Sequence, residues 1–293
     1  MPLTGDKEEI FITKILFVGL SFCFMENFMK GVFMTKLRDA IYGFAVADAL
    51  GVPFEFKERG TFICQDMVGF GTWNKEAGTW SDDTSMTLAT CKSIKNMGRV
   101  DTEDIRKNFK AWLFNDDFTA DGKVFDVGGT TREALTLNRG MDDYYSNGNG
   151  SLMRILPLAF TDASDEEIEK VSAITHAHEI SRKACIDYVH ITRKLIAGEK
   201  LESLGLDDLK NKSEEEIKST GFVLHTLEAS LWCILNTNSY RDAVLKAVNL
   251  GDDTDTTAAV TGGLAGIIYG FDEIPRDWID KLKNKTLIEE CLF

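Results

Sequence analysis

Residues 251–270 read GDDTDTTAAVTGGLAGIIYG. From Thr256 onward the stretch is small and apolar, so a helix over it is buried and lets neighbouring helices approach closely. Its first residues are acidic and fall where that helix begins. The same helical pattern continues outward along the chain. Ser239-x-x-Asp242 caps a helix carrying Val244, Ala247 and Val248, and residues 222–235 form another. Ser181 precedes a long helix through Cys185, Tyr188, Ile191 and Leu195, which Gly198 stops. Ser164-x-x-Glu167 is a capping box ahead of Ile168, Val171 and Ile174. Asp101 or Thr102 caps a helix with Ile105, Phe109, Trp112 and Leu113 on its apolar side. Another starts near Thr84, and the first carries Leu37, Ile41, Phe44, Ala45 and Ala49 before Gly51 and Pro53. Pro275 stands as a first-turn proline before Trp278 and Leu282. Alternating strand patterns are nearly absent. The polar residues 199–220 read as a surface excursion. One all-α domain is expected over 34–293.

Composition narrows the function classes. A hydrophobic fraction of 44% and a charged fraction of 27% describe a folded globular chain. The net charge of −14 repels nucleic-acid phosphates and anionic lipid, so neither is expected as a partner. An anionic small molecule needs a local site built from metal ions or backbone N–H groups. Six cysteines without CxxC spacing exclude a disulfide framework and a zinc ribbon, and fit free thiols in a reducing cytoplasm. Residues 15–25, ILFVGLSFCFM, are too short to span a bilayer, and the acidic GDKEE before them is unlike a signal peptide. Residues 1–33 are read as an extension outside the fold, without stable membrane association.

Two segments concentrate hard oxygen ligands: Trp80-Ser81-Asp82-Asp83-Thr84 and Gly251-Asp252-Asp253-Thr254-Asp255-Thr256. Each alone reads as a helix N-cap, where Ser, Asp and Thr are favoured. Together they hold five carboxylates, more than caps require. If the two helix starts meet, those charges repel unless a cation lies between them. Carboxylate and hydroxyl oxygens suit Mg²⁺, Mn²⁺ or Ca²⁺ rather than Zn²⁺. In GFAVADALGVPFE, Asp48 interrupts the apolar end of a helix and Glu55 lies on a turn past Pro53. Read alone, they are a helix-terminal Asp and a solvated Glu. The turns Asp126-Val-Gly128-Gly129-Thr130-Thr131 and Gly148-Asn149-Gly150-Ser151 can offer backbone N–H groups to a diphosphate. Thr175-His176-Ala177-His178 is read as a helix end.

In this order, GFAVADALGVPFEF, TWSDDTSMTLA, FDVGGTT, GNGSLMRILPL, THAHE, GFVLHTLEASLW and NLGDDTDTTAAVTGGLAGIIYG resemble the ADP-ribosylglycohydrolase family, dinitrogenase reductase-activating glycohydrolase type. The resemblance implies an orthogonal helix bundle with a dinuclear metal cleft that receives ADP-ribose. It implies two Mg²⁺ ions, with Mn²⁺ able to substitute, on Ser81, Asp82, Asp83, Asp253, Asp255 and Thr256. It places Gly128, Gly129, Thr130, Asn149, Gly150, Ser151 and His176 with the ligand, and Glu55 and Asp83 in the catalytic role. Four positions depart from the family pattern: Ala47 for Gly, Gly129 for Asn, Asp252 for Gly and His225 for Asp. The expected protein is a monomeric cytoplasmic hydrolase that cleaves ADP-ribose from a protein side chain or a small molecule. Glu55 protonates the leaving atom, which favours O-linked acceptors. The rival readings are a silent ADP-ribose-binding module and a metal-dependent hydrolase of another nucleotide-sugar bond.

Overall fold

A computed structural model of the chain describes Gly31 and residues 34–293. The expected extension, Gly31 apart, lies outside the described residues. The chain divides into two units, Met1–Thr35 and Lys36–Phe293. The second unit is built of helices: α1 (34–51, of which 36–51 belong to this unit), α2 (Asp82–Met97), α3 (Thr102–Asn115), α4 (Gly129–Leu137), α5 (Asp165–Ser172), α6 (Glu179–Ile196), α7 (Asp207–Lys210), α8 (Val223–Leu235), α9 (Tyr240–Asn249), α10 (Thr254–Tyr269), α11 (Arg276–Lys281) and α12 (Lys285–Cys291). Among the described residues the only β pairings are isolated bridges, as the missing alternation predicts. No described helix is long and apolar enough to cross a membrane.

Local signals account for most helix starts. The side chains of Ser81, Asp101 and Ser239 accept the backbone N–H bonds that open α2, α3 and α9. Ser164 and Glu167 make the reciprocal capping box of α5. Each such cap contributes about 1 kcal/mol. The helix ends expected around residues 175–181 fall elsewhere. Helix α5 stops at Ser172, His176 lies in the following loop, and His178 rather than Ser181 caps α6 through Nδ1. Ser181 is instead buried in the first turn of α6, where its hydroxyl and N–H donate to Asn147 Oδ1. The 199–220 excursion folds into short turns, pinned by the buried side chains of Leu201 and Ile217.

Helix α10 is the centre of the unit. Every residue from Thr254 to Ile267 is buried, and α2, α6, α8 and α9 pack around it. Its small residues bring α1 into backbone contact. A Cβ added at Gly43 would lie 2.4 Å from the Gly262 carbonyl oxygen, and one at Gly266 2.2 Å from that of Asp39. At the other end of the crossing, a Cβ at Gly51 would lie 2.4 Å from Asp255 Cα. Thr254 Oγ1 donates to the Gly51 carbonyl at 2.8 Å and Tyr240 Oη to that of Gly43 at 2.6 Å. This contact sets the C-terminal turn of α1, with Asp48, against the N-terminus of α10. The five described cysteines, Cys64, Cys91, Cys185, Cys233 and Cys291, are free and buried.

Candidate active site and metal centre

Two helix N-termini converge here. Ser81, Asp82 and Asp83 open α2, and all three are buried. Asp48 reaches across from α1 and takes the anion's place at that N-terminus. Its carboxylate accepts from the N–H groups of Ser81 (2.9 Å) and Thr84 (3.0 Å) and from Thr84 Oγ1 (2.5 Å). With Asp48 bound to the helix end, Asp83 is free of that duty. Asp253, Asp255 and Thr256 open α10. Thr256 Oγ1 donates to Asp83 Oδ1 at 3.3 Å, joining the two acidic segments. Carboxylate oxygens of Asp48, Asp83 and Asp255 lie within 4.8 Å of one another, and so do those of Glu55, Asp253 and Asp255. Asp83 Oδ2, Asp253 Oδ1 and Asp255 Oδ2 are buried without a hydrogen-bond partner. Orphaned, converging carboxylate oxygens are the donor set of a hard cation, so the residues fit Mg²⁺ or Mn²⁺.

The protein's own charges oppose this arrangement. Burial pushes Glu55 up to about 9, and the charges of Asp255 and Asp253 add to the effect, while the Trp73 Nε1–H bond to Oε2 acts against it. Asp126 rises to about 10 through burial and then through Asp82 and Glu55. Burial also lifts Asp82, Asp83 and Asp255 well above the usual carboxylate range, with like charges reinforcing it. Asp253 is raised by burial, partly offset by its bond from Asn149. Asp48 reaches only about 6, because four hydrogen bonds from Ser81 and Thr84 resist its desolvation. A cation would exchange for the protons these groups hold.

The acidic cluster forms one wall of a cavity of about 250 Å³. Glu55, Asp82, Asp126, Asp253 and Thr256 face the segments 128–131 and 148–150, with His176 behind the second. Gly128 precedes α4, so the cavity meets that helix's N-terminal N–H groups. Asn149 ties the wall to the loop, since its Nδ2 donates to Asp253 Oδ2 and to Thr226 Oγ1, each at 2.9 Å. Ser151, expected with the ligand, is fully buried beneath the loop and lines none of the cavity. Its Oγ accepts from Cys185 Sγ at 3.5 Å.

Glu55 is only 4% exposed, so it is not the solvated residue of the bare sequence reading. Asp252, expected to add charge beside the cluster, is exposed. Its backbone accepts from Phe56 N–H at 2.7 Å and donates to Lys57 at 2.9 Å, holding the Glu55 turn against α10. His225 lines a neighbouring pocket of about 500 Å³ with Tyr144, Tyr145 and Phe222, and Gly148 and Gly221 border both spaces. Three residues were missed in the sequence reading: Asp48, Asp126 and Trp73. An acid inside the apolar GFAVADALG was a usable signal for Asp48, and Asp126 precedes the glycine turn. Nothing marked Trp73.

The chain is similar to several known proteins. The ADP-ribosylglycohydrolase family model matches residues 29–292. The chain is 34% identical over 283 residues to an ADP-ribosylarginine hydrolase, Tri1, of Serratia proteamaculans, covering 87% of this chain and 77% of the relative. It is 32% identical over 271 residues to the ADP-ribosyl-[dinitrogen reductase] glycohydrolase of Rhodospirillum rubrum, covering 84% and 90%. A solved structure described as an ADP-ribosylglycohydrolase-related protein complex superposes with a TM-score of 0.76 at 28% identity, covering 88% of this chain and 96% of the other. With two acidic helix starts facing a glycine-lined cavity, and with these matches along nearly all of its described length, the chain belongs to the ADP-ribosylglycohydrolase family.

Proposed function

We propose that this chain hydrolyses the bond between C1″ of ADP-ribose and a modified protein side chain, as a cytoplasmic monomer, with two Mg²⁺ ions held by Ser81, Asp82, Asp83, Asp253, Asp255 and Thr256. The observation that carries the reading is the set of unpartnered Asp83, Asp253 and Asp255 oxygens in an acidic cluster whose Asp82, Asp253 and Thr256 line a glycine-rich cavity. The ions would supply Lewis acidity toward the ribose hydroxyls and a water. The rest falls to the chain's own groups. The loops 128–131 and 148–150 hold the ligand, and their glycines let it approach the backbone. Glu55 stands on the acidic wall facing these loops, oriented by Trp73 and by a hydrogen bond shared with Asp126. From there it delivers a proton to the leaving atom as the sugar passes through an oxocarbenium-like state.

Arginine is the first acceptor to test, because the Serratia relative is named for ADP-ribosylarginine and the acidic wall suits a cationic guanidinium. The O-linked reading is favoured by Glu55, since an alkoxide needs the general acid that a guanidine does not. Arginine-linked and serine-linked ADP-ribosyl peptides, offered to wild type and Glu55→Gln with Mg²⁺ or EDTA, decide between them. Release of ADP-ribose that EDTA abolishes supports the hydrolase, and no release from either peptide refutes it. A serine preference lost in Glu55→Gln supports the O-linked acceptor, and faster arginine-peptide cleavage removes it.

A further inference from the structure

His176 is buried yet faces the cavity. A Cβ at Gly150 would lie 2.8 Å from its Cε1 and 3.3 Å from its Nε2, and one at Gly148 would lie 3.5 Å from Nε2. Nε2 therefore sits against the loop that carries Asn149. On the other side of the ring, Nδ1 lies 2.7 Å from Thr175 Oγ1. That hydroxyl also accepts from Arg154 Nη2 at 2.8 Å. A guanidinium only donates, so this bond takes a lone pair and leaves the hydroxyl hydrogen to be placed. Among the described residues Nδ1 is the acceptor it meets. A neutral ring that accepts at Nδ1 carries its proton on Nε2. The reverse arrangement, Nδ1–H donating to Thr175, strands the hydroxyl hydrogen in a fully buried site, at the cost of an unmet hydrogen bond.

Arg154 has no ion-pair partner among the described residues, although it is fully buried. Its guanidinium lies over the Phe109 ring at 4.5 Å, and Nη1 donates to the Gly150 carbonyl at 3.0 Å. The cation thus sits under the ligand loop and behind the histidine. Burial and this charge hold the ring neutral, pushed down to about 3. The same group that orients the ring through Thr175 opposes its second proton.

We infer that Arg154, Thr175 and His176 form a buried relay in which Arg154 and Thr175 are positioning residues that hold His176 in its neutral Nε2–H form, a hydrogen-bond donor to an oxygen of the ligand at the 148–150 loop. Naming that ligand ADP-ribose rests on the proposed hydrolase function, whereas the tautomer does not. The relay gives the loop side of the cavity, opposite the carboxylates, a donor that keeps one protonation state across the working pH range.

The chain has four histidines, so each ring can be assigned by single His→Gln variants. Long-range ¹H–¹⁵N spectra of histidine-labelled protein, without ligand, should show His176 with an imine-type Nδ1 and a pyrrole-type Nε2. Thr175→Val should mix or reverse these signals, and Thr175→Ser should keep them. With Mg²⁺ present, ADP-ribose binding should weaken roughly threefold to tenfold in Thr175→Val and stay near wild type in Thr175→Ser. An Nδ1–H ring in wild type, or an unchanged spectrum in a folded Thr175→Val, overturns the relay. Arg154→Lys provides a second arm: an unchanged tautomer and unchanged binding there remove Arg154 from it. Wild type that binds no ADP-ribose overturns the ligand assignment, while the spectrum judges the relay.

Discussion

Metal-stripped protein should lose stability as pH rises through neutrality. Asp48, Glu55, Asp82, Asp83, Asp126, Asp253 and Asp255 all hold their protons more tightly folded than unfolded. Folded values above unfolded ones mean that the folded chain binds extra protons. The stabilisation is complete below the ordinary carboxylate range, near pH 4, and is lost as pH climbs through the raised values, which reach about 9 for Glu55 and about 10 for Asp126. Each extra proton retained costs about 1.4 kcal/mol per pH unit. A fold of roughly 260 residues has an unfolding entropy near 0.55 kcal/mol/K, so the slope is about −2.5 °C in Tm per pH unit per proton. The assay is differential scanning fluorimetry in EDTA from pH 5 to 8, repeated with millimolar Mg²⁺. Tm should fall with pH in EDTA, and the gain from Mg²⁺ should grow with pH, because cations replace protons. Asp255→Asn removes one member of the cluster and should make the EDTA slope shallower by about one proton. A Tm in EDTA that stays flat or rises from pH 6 to 8 refutes the reasoning, as does an Mg²⁺ gain that shrinks with pH.

Other outcomes can be checked alongside. Asp83→Asn should abolish release of ADP-ribose while its Tm in EDTA does not fall, and Mg²⁺ or Mn²⁺ should restore EDTA-treated wild type better than Zn²⁺; retained turnover in the variant removes Asp83 from the centre. A chain starting at Met34 should be folded and as active as the full chain, measured by turnover and by size-exclusion chromatography. Gly150→Ala puts a methyl 2.8 Å from His176 Cε1 and 3.0 Å from Thr131 Oγ1. It should cost about 1–3 kcal/mol on denaturant unfolding and weaken ADP-ribose binding.

Local chemistry made much of the fold legible. Asp101, Ser164 and Ser239 cap the helices their spacing announces, because a cap bonds to N–H groups two or three residues on. The acidic segments were found for the same reason, since both are helix starts. Tertiary choices stayed hidden. Which anion serves the α2 N-terminus depends on how α1 crosses α10, so Asp48 read as an ordinary helix end. The burial of Glu55 depends on Trp73 and on the Asp252 backbone, neither near it in sequence. Ser151 belongs to a loop that lines the cavity, but the turn directs its hydroxyl inward to Cys185.

The contact between α1 and α10 acts as a calliper. Because Gly43, Gly51, Gly262 and Gly266 bring main chain against main chain, no side chain between the helices can yield to change their separation. The backbone separation of Asp48 on one helix from Asp255 on the other is therefore set by this contact. Bonds from Mg²⁺ to oxygen are about 2.0–2.1 Å, against about 2.3–2.6 Å for Ca²⁺. An ion that needs the longer bonds would press on the cluster beside this close backbone contact, which has little room to open. Ion size would thus be read at a glycine seam whose residues touch no ion.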